Sequence, residues 1–323
     1  MKDFPRIIFF GTPGFAAASL ERIVSCGFPV VAVVSAPDKP AGRGLKEHES
    51  EVKVWARAHG IPVLQPPNMK DPVFLEQLST YKPDLQIVIA FRMMPKEVWS
   101  LPALGTFNLH ASLLPQYRGA APINWAIING ETETGVTTFF LNEQIDAGKI
   151  ILREKVSIGP DETAGELHDR LMETGSELVI RTIERIVSGN AGDTGQDPLA
   201  AGNALLKEAP KIYKTNCRIN WDQDVQAVHN FIRGLSPCPG AWTLLKMPDG
   251  TQQTLKIFKT MPEAGSAVGI PGEILSDGKS YIKIGTKTGM INLTVLQLAG
   301  RKTMNTGDFL RGFGWIFSET HGI

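Results

Sequence analysis

The feature that most constrains this chain is a repeated alternation of short apolar runs and amphipathic stretches in its first part. Each run is too short for a buried helix and is typical of a strand covered on both faces. Between the runs, apolar residues recur at helical spacing and stop at Gly or Pro. Repeated strand–helix–strand units build a parallel, doubly wound sheet. We predict strands at residues 6–10, 30–34 and 85–90, and helices at residues 15–25, 52–59 and 73–78.

The central part of the chain extends the same α/β architecture. Two further strands are predicted at residues 106–111 and 136–141. A long helix follows them, because Thr163 and Glu166 have the spacing of a capping box and apolar residues then continue along one side. Gly189 is the expected end of this helix.

Residues 190–208 differ in composition from the chain on either side. Gly, Pro and small polar residues predominate there, which is typical of a linker. We therefore predict an α/β domain over residues 1–189 and a second domain over residues 209–323.

The second domain is predicted to contain one helix and five short strands separated by turn residues. This pattern favours a small β-barrel of the OB type, and strand number alone leaves a generic β-sandwich fragment as the alternative. The helix is predicted at residues 225–233, and the strands at residues 241–246, 255–259, 272–275, 281–285 and 291–298.

The zero net charge of the whole chain, 33 basic against 33 acidic residues, hides an asymmetry between the two predicted domains. Residues 209–323 contain 13 Lys and Arg against 8 Asp and Glu, a net charge of +5, and the rest of the chain balances it. A basic domain joined to an acidic one suggests that a polyanion binds to the former and that chemistry occurs in the latter. An excess of this size also arises by chance.

Composition narrows the expected location and cofactors. No apolar run approaches the ~20 residues of a membrane span, and no secretory leader is recognisable, so we expect a cytoplasmic protein without membrane contact. The three cysteines, Cys26, Cys217 and Cys238, are odd in number and far apart, which is unlike a disulfide framework or a zinc site. The histidines show no metal-ligand spacing, and no metal is expected.

The segment most informative about function is the predicted strand at residues 106–111. Alternate residues of a strand share a face, so Asn108 and His110 project together near its carboxyl end, where α/β sheets bind ligands. A carboxamide beside an imidazole combines an oxyanion donor with a proton-transfer group. Residues 142–148 offer acidic side chains that could orient the imidazole. The alternative is a hydrogen-bonded core histidine beside a turn-forming asparagine.

Five sequence elements together resemble a known family: Asn108, His110, residues 112–115, residues 117–123 and Asp146. They are similar to the formyltransferases that use 10-formyltetrahydrofolate, and most similar to those that act on methionyl-tRNA. The resemblance covers nearly the whole chain. It includes residues 10–13, 39–46, 218–221 and 300–304.

The resemblance implies a Rossmann-like formyltransferase domain followed by an OB-type barrel, and it implies roles for individual residues. Asn108 would donate a hydrogen bond to the oxyanion formed on the formyl carbon, and His110 would stabilise that oxyanion and protonate the departing folate nitrogen. Asp146 would lie beside the imidazole and favour its charged form. The resemblance also implies a monomer that needs no metal. The folate site would be lined by Ser112, Leu113, Leu114 and Pro115.

The resemblance further implies that methionyl-initiator tRNA is the formyl acceptor and that its acceptor stem contacts basic side chains. One feature departs from the family pattern, because Lys46 is followed by an acidic stretch, residues 47–51. Those carboxylates would repel nearby phosphates. The candidate tRNA contacts are Arg43, Lys46, Lys211, Lys214, Arg301 and Lys302.

Two other functions stay open at the level of sequence. The first is a folate-dependent formyltransferase for a small amine, such as a sugar nucleotide or glycinamide ribotide, or a hydrolase of formylfolate. The second is a non-catalytic RNA-binding protein that has kept an inactive α/β domain.

Overall fold

The computed structural model of the protein describes residues 4–41, 46–191, 195–196, 205–265 and 270–317. These residues form two compact units, each made of three segments. The first unit comprises Met1–Gly119, Thr134–Val156 and Asp169–Glu208, and the second comprises Ala120–Glu133, Ser157–His168 and Ala209–Ile323. The simpler division that we predict at residues 190–208 stays a prediction.

A seven-stranded sheet forms the centre of the first unit, in the order β10-β9-β7-β6-β1-β2-β5. The five strands from β7 to β5 run parallel, and β9 pairs with β7 in the antiparallel direction. The parallel doubly wound sheet predicted from the sequence is confirmed. The strands are β1 (Ile7–Gly11), β2 (Val30–Val34), β5 (Val63–Leu64), β6 (Leu85–Ile89), β7 (Thr106–His110), β9 (Glu133–Phe140) and β10 (Ile150–Ser157).

Four short strands among the described residues belong to neither of the two large sheets. They are β3 (Lys39–Ala41) and β4 (Lys46–His48), which pair as an antiparallel hairpin, and β8 (Arg118–Gly119) and β11 (Glu208–Ala209).

Six helices are described before residue 190. The two short ones at Lys96–Trp99 and Pro122–Ile128 were not predicted, and the other four match predicted helices. Ser50 caps one of them by accepting a hydrogen bond from the Lys53 N–H, and Asp71 caps the next. No helix in the described part of the chain is long and apolar enough to cross a membrane. The helices are α1 (Gly14–Ser25), α2 (Glu51–Ala58), α3 (Pro72–Thr80), α4 (Lys96–Trp99), α5 (Pro122–Ile128) and α6 (Ala164–Val187).

The capping box predicted at the start of α6 is present. The Thr163 N–H donates to Glu166 Oε2 at 2.8 Å, and the Glu166 N–H donates to Thr163 Oγ1 at 3.3 Å. Lys259 also donates to the Glu166 carboxylate. These hydrogen bonds, that of Lys259 first, lower the pKa of Glu166 to about 2. The carboxylate therefore stays charged and keeps capping the helix through the physiological range.

The second unit contains an antiparallel sheet in the order β12-β13-β16-β15-β14, with β17 paired to β16. The path leaves β12 and β14 at its two ends among the described strands, so the sheet is a half-barrel. Helices α7 (Val225–Gly234) and α8 (Thr306–Phe313) pack on its apolar core. The strands are β12 (Ala241–Lys246), β13 (Gln252–Ala264), β14 (Ile274–Ser276), β15 (Ile282–Gly285), β16 (Gly289–Leu298) and β17 (Met304–Asn305).

Candidate active site

Strand β7 brings Asn108 and His110 to the carboxyl end of the parallel sheet. The strand lies between β6 and β9, and Asn108 is opposite Val88 on one side. Phe107 and Leu109, which alternate with the polar pair, are buried. This alternation places both polar side chains on one face, as the sequence predicts.

The imidazole of His110 has an oxygen acceptor on each side. Its Nε2 lies 2.8 Å from the carbonyl oxygen of Tyr117, so Nε2 carries a proton and donates to that oxygen. Its Nδ1 lies 3.8 Å from Oδ2 of Asp146. Both side chains are largely shielded from water, with 9% of His110 and 16% of Asp146 exposed. Each ring nitrogen therefore faces an oxygen atom in a largely buried setting.

Asp146, rather than its acidic neighbour Glu143, is the carboxylate that faces the ring. Its Oδ2 also accepts a hydrogen bond of 3.0 Å from the Gly119 N–H. Glu143 instead forms an exposed ion pair with Lys96 at 2.6 Å, and the hydrogen bond from Lys96 lowers the pKa of Glu143. The acid beside the ring is thus the one that the family resemblance implies.

The carboxamide of Asn108 is available to a ligand. The side chain is half-buried and forms no hydrogen bond with any residue that the structure describes. Because a partly buried amide without a partner is unfavourable, an oxygen bound at this edge of the sheet would gain a strong donor there.

The loop predicted to line a folate site turns its side chains inward. Ser112 and Leu114 are buried, and Ser112 Oγ donates to the Gln116 carbonyl at 2.6 Å. The Leu114 N–H donates to Oγ1 of Thr137 on the adjacent strand β9 at 3.2 Å. Pro115 is also buried, and Leu113 is half-buried. Any contact of Ser112, Leu113, Leu114 and Pro115 with a ligand stays a prediction.

The residues after β6 reach the same edge of the sheet, and the sequence interpretation gave them no role. Ala90 has a left-handed backbone, with φ of 47°. Arg92 donates to the carbonyl oxygens of Pro66 and Pro67, which fixes the start of this loop. The side chain of Met93 is 73% exposed. The position of β6 beside β7, at the carboxyl ends of two parallel strands, is the signal that could have identified this loop.

The structure describes the side chains of four candidate tRNA contacts. Lys211, Lys214, Arg301 and Lys302 are all exposed and belong to the second unit. The Arg301 guanidinium stacks over the Phe313 ring at 5.5 Å, and the Lys211 ammonium lies 5.4 Å from the Tyr213 ring centre. Lys46 belongs to strand β4, and Arg43 lies outside the described residues.

The described residues contain no group of three or more His, Cys, Asp or Glu side chains arranged to hold a metal ion. The candidate site described above comprises the Asn108 carboxamide, the His110 imidazole between two oxygens, and the Asp146 carboxylate.

Two family models match this chain. The model described as formyl transferase matches residues 5–183, and that described as formyl transferase, C-terminal domain, matches residues 211–314. The methionyl-tRNA formyltransferase of Bacteroides fragilis is 48% identical over 314 residues, which are 97% of this chain and 96% of the relative.

Solved structures share the fold at low sequence identity. An N-formyltransferase from Helicobacter canadensis, in complex with folinic acid and dTDP-3-aminofucose, superposes with a TM-score of 0.65 at 21% identity over 90% of this chain and 98% of that one. HypX from Aquifex aeolicus, in complex with tetrahydrofolic acid, superposes with a TM-score of 0.64 at 21% identity over 99% of this chain. This chain spans 49% of HypX.

Proposed function

Since this chain belongs to the methionyl-tRNA formyltransferase family, we propose that it transfers the formyl group of 10-formyltetrahydrofolate to the α-amine of methionyl-initiator tRNA. The observation that supports this reaction most strongly is the convergence at one sheet edge of Asn108, His110 and Asp146. A formyl group moves through a tetrahedral intermediate with a negatively charged oxygen, and this set supplies a donor and a cation for it.

The proposed reaction begins when the α-amine attacks the formyl carbon, and the formyl oxygen becomes an oxyanion. The Asn108 carboxamide, which has no hydrogen-bond partner among the described residues, donates to that oxyanion. The charged ring of His110 adds electrostatic stabilisation, and Asp146 holds the ring and offsets its charge.

The intermediate then collapses, the bond between the formyl carbon and N10 of the folate breaks, and N10 gains a proton. We assign this proton to Nε2 of His110, which in the structure donates to the Tyr117 carbonyl. Delivery therefore requires Nε2–H to exchange that carbonyl for the departing nitrogen. The attacking nitrogen is positively charged once it has bonded to the formyl carbon, and it loses one proton. That proton returns to Nε2 of His110, so the ring is ready for another cycle.

Folate binding is supported by relatives of the same fold. Solved structures of two such proteins are complexes with folinic acid or tetrahydrofolic acid. In this chain we assign the folate-lining role to the loop that contains Ser112, Leu113, Leu114 and Pro115. The half-buried Leu113 is the member of this loop with the most side-chain surface open to a ligand.

The tRNA would be held through phosphate contacts that carry no sequence information. Lys211, Lys214, Arg301 and Lys302 are exposed lysines and arginines in the basic part of the chain, as such contacts require. We retain Arg43 and Lys46 as proposed contacts on the resemblance alone. The protein is proposed to act as a cytoplasmic monomer.

The experiment that tests the function supplies formyl-labelled folate together with methionyl-initiator tRNA, methionyl-elongator tRNA or free methionine. The proposal predicts label on methionyl-initiator tRNA, with little on the other two. Strong labelling of free methionine would favour the small-amine alternative, and absence of label on every acceptor would contradict the proposal. The 48% identity to a methionyl-tRNA formyltransferase does not favour that alternative.

A further inference from the structure

One residue of the segment that the sequence predicts to be a linker contacts the candidate site directly. Gln196 Nε2 donates to the carbonyl oxygen of Asp146 at 3.0 Å and to that of Gly148 at 2.8 Å. Its Oε1 accepts two hydrogen bonds from the Arg118 guanidinium, at 3.2 and 2.7 Å. The half-buried amide thus uses its nitrogen on the turn that contains Asp146 and its oxygen on Arg118.

The end of the same segment contacts the loop that follows β7. The Tyr117 N–H donates to the Lys207 carbonyl at 2.7 Å. The Lys207 N–H donates in return to Oε1 of Gln116 at 2.8 Å. All of these residues belong to the first unit.

These contacts fall on two residues with unusual backbone geometry. Tyr117 has a φ of 59° and Asp146 a φ of 50°, both in the left-handed region that residues other than glycine adopt rarely. Such conformations persist only where the surroundings hold them, and they concentrate at active sites. Tyr117 and Asp146 supply the two oxygens that flank His110. Both flanking residues are therefore held by the predicted linker.

We propose that Gln196 is a positioning residue for formyl transfer: its amide fixes the turn that aims the Asp146 carboxylate at His110. This inference rests on the function proposed above. The side chain does not touch the reacting atoms in this proposal, and it acts through the Asp146 and Gly148 carbonyls.

The first test compares Gln196→Met with Gln77→Met, because Gln77 is an exposed helix residue far from any proposed role. We expect Gln196→Met to lower kcat by 10-fold or more, up to the ~10²-fold that a small misplacement of a reacting group costs. The KM values for folate and methionyl-tRNA should change little. Equal kcat in Gln196→Met and Gln77→Met would overturn the proposal.

A second variant separates the two contacts of the amide. Gln196→Glu keeps an acceptor for Arg118 but presents a carboxylate to the two carbonyl oxygens that the amide now serves. If Gln196 acts by holding the turn that contains Asp146, kcat should be as low in Gln196→Glu as in Gln196→Met. Normal activity of Gln196→Glu would assign the effect to Arg118 and overturn the proposal.

A double-mutant cycle with Asp146→Asn asks whether Gln196 acts through the carboxylate. Once the charge at Asp146 is gone, adding Gln196→Met should change kcat less than 3-fold. A full additional loss would show that Gln196 acts independently of Asp146 and would overturn the proposal.

A measurement without catalysis keeps this inference separate from the proposed function. The Gly119 N–H donates to Asp146 Oδ2, so its hydrogen exchange reports where the carboxylate lies. We expect at least 10-fold faster exchange of this amide in Gln196→Met than in Gln77→Met. Unchanged exchange would overturn the inference even in an active enzyme, and faster exchange would support it even if methionyl-tRNA were not the substrate.

Discussion

The Nδ1 atom of His110 lies 3.8 Å from Oδ2 of Asp146, and the same carboxylate oxygen accepts a 3.0 Å hydrogen bond from the Gly119 N–H. The carboxylate is thus held by the backbone while its charge is directed at the imidazole. Since Nε2 of His110 already donates to the Tyr117 carbonyl, the ring is oriented from both sides.

Asp146→Asn tests the charge of that carboxylate with little change in shape. The asparagine oxygen can still accept from the Gly119 N–H, but the negative charge facing His110 is lost. We expect kcat to fall by about 10²-fold, the lower end of what positioned acid–base groups contribute. The matched control is Glu143→Gln, which breaks the exposed ion pair with Lys96 and should retain activity. Similar losses in the two variants would refute the specific role of Asp146.

Asn108→Ala removes the proposed oxyanion donor. Loss of one such donor typically costs about 10²–10³ in turnover, and we expect kcat to fall by that factor. KM for folate should change less, because the hydrogen bond strengthens as charge develops on the formyl oxygen. Steady-state kinetics with labelled folate measures both constants. A variant that lost only substrate affinity would show that Asn108 binds the ground state.

Gly148→Ala should disrupt the turn that contains Asp146. A Cβ at position 148 would lie 1.6 Å from the carbonyl oxygen of Phe140, and a backbone atom cannot yield by that amount. We expect the free energy of unfolding to fall by about 3 kcal/mol or more, which is the upper range for an overpacked core. A lower Tm would show this loss. The control is Gly312→Ala in helix α8, where an added Cβ meets no atom within 4 Å. This substitution should stabilise the protein by about 0.5–1 kcal/mol, because alanine favours a helix over glycine. A Tm for Gly148→Ala equal to that of the wild type would contradict the observed packing.

The buried His229 of helix α7 predicts a loss of stability in mild acid. Burial is the main cause that lowers the pKa of His229. The carboxylate of Asp161 lies 3.3 Å from Nε2 and acts to raise that pKa, but it is 79% exposed and its effect is the smaller one. The unfolded chain therefore binds this proton more readily, and stability falls as the pH drops below the ordinary value of ~6.5.

The corresponding variant is His229→Gln, whose amide can still reach Thr260, the partner of His229 Nδ1 at 2.9 Å. We expect the urea midpoint to fall less between pH 7 and pH 5 in this variant than in the wild type. The comparison cancels the other titrating groups. An identical fall in both proteins would show that His229 is not the group responsible.

Much of the first unit could be predicted because its central strands are continuous apolar runs. Strand β10 was missed because Arg153, Glu154 and Lys155 interrupt its pattern, and charged residues are common on a strand at the edge of a sheet. Strand β13 is longer than predicted because it continues through Pro262. Pro262 lies beyond Ile257, the last residue of β13 that pairs with β12, so at this position β13 pairs with β16 alone.

The sequence predicts the catalytic side chains of the site but not the backbone groups that hold them. Strand alternation placed Asn108 beside His110, and the family resemblance singled out Asp146. The Tyr117 carbonyl and the Gly119 N–H are backbone groups, which leave no mark in the residue pattern. The contact of Gln196 with the Asp146 turn was hidden for a similar reason, since a stretch of small and polar residues resembles a flexible linker.

The most direct test of the catalytic assignment is the single-turnover rate of formyl transfer to methionyl-initiator tRNA in His110→Ala. Circular dichroism and Tm would first establish that the variant is folded. We predict a rate lower by about 10²–10⁴-fold, the contribution of a positioned acid–base group. A folded His110→Ala protein that transfers the formyl group at the wild-type rate would contradict the account.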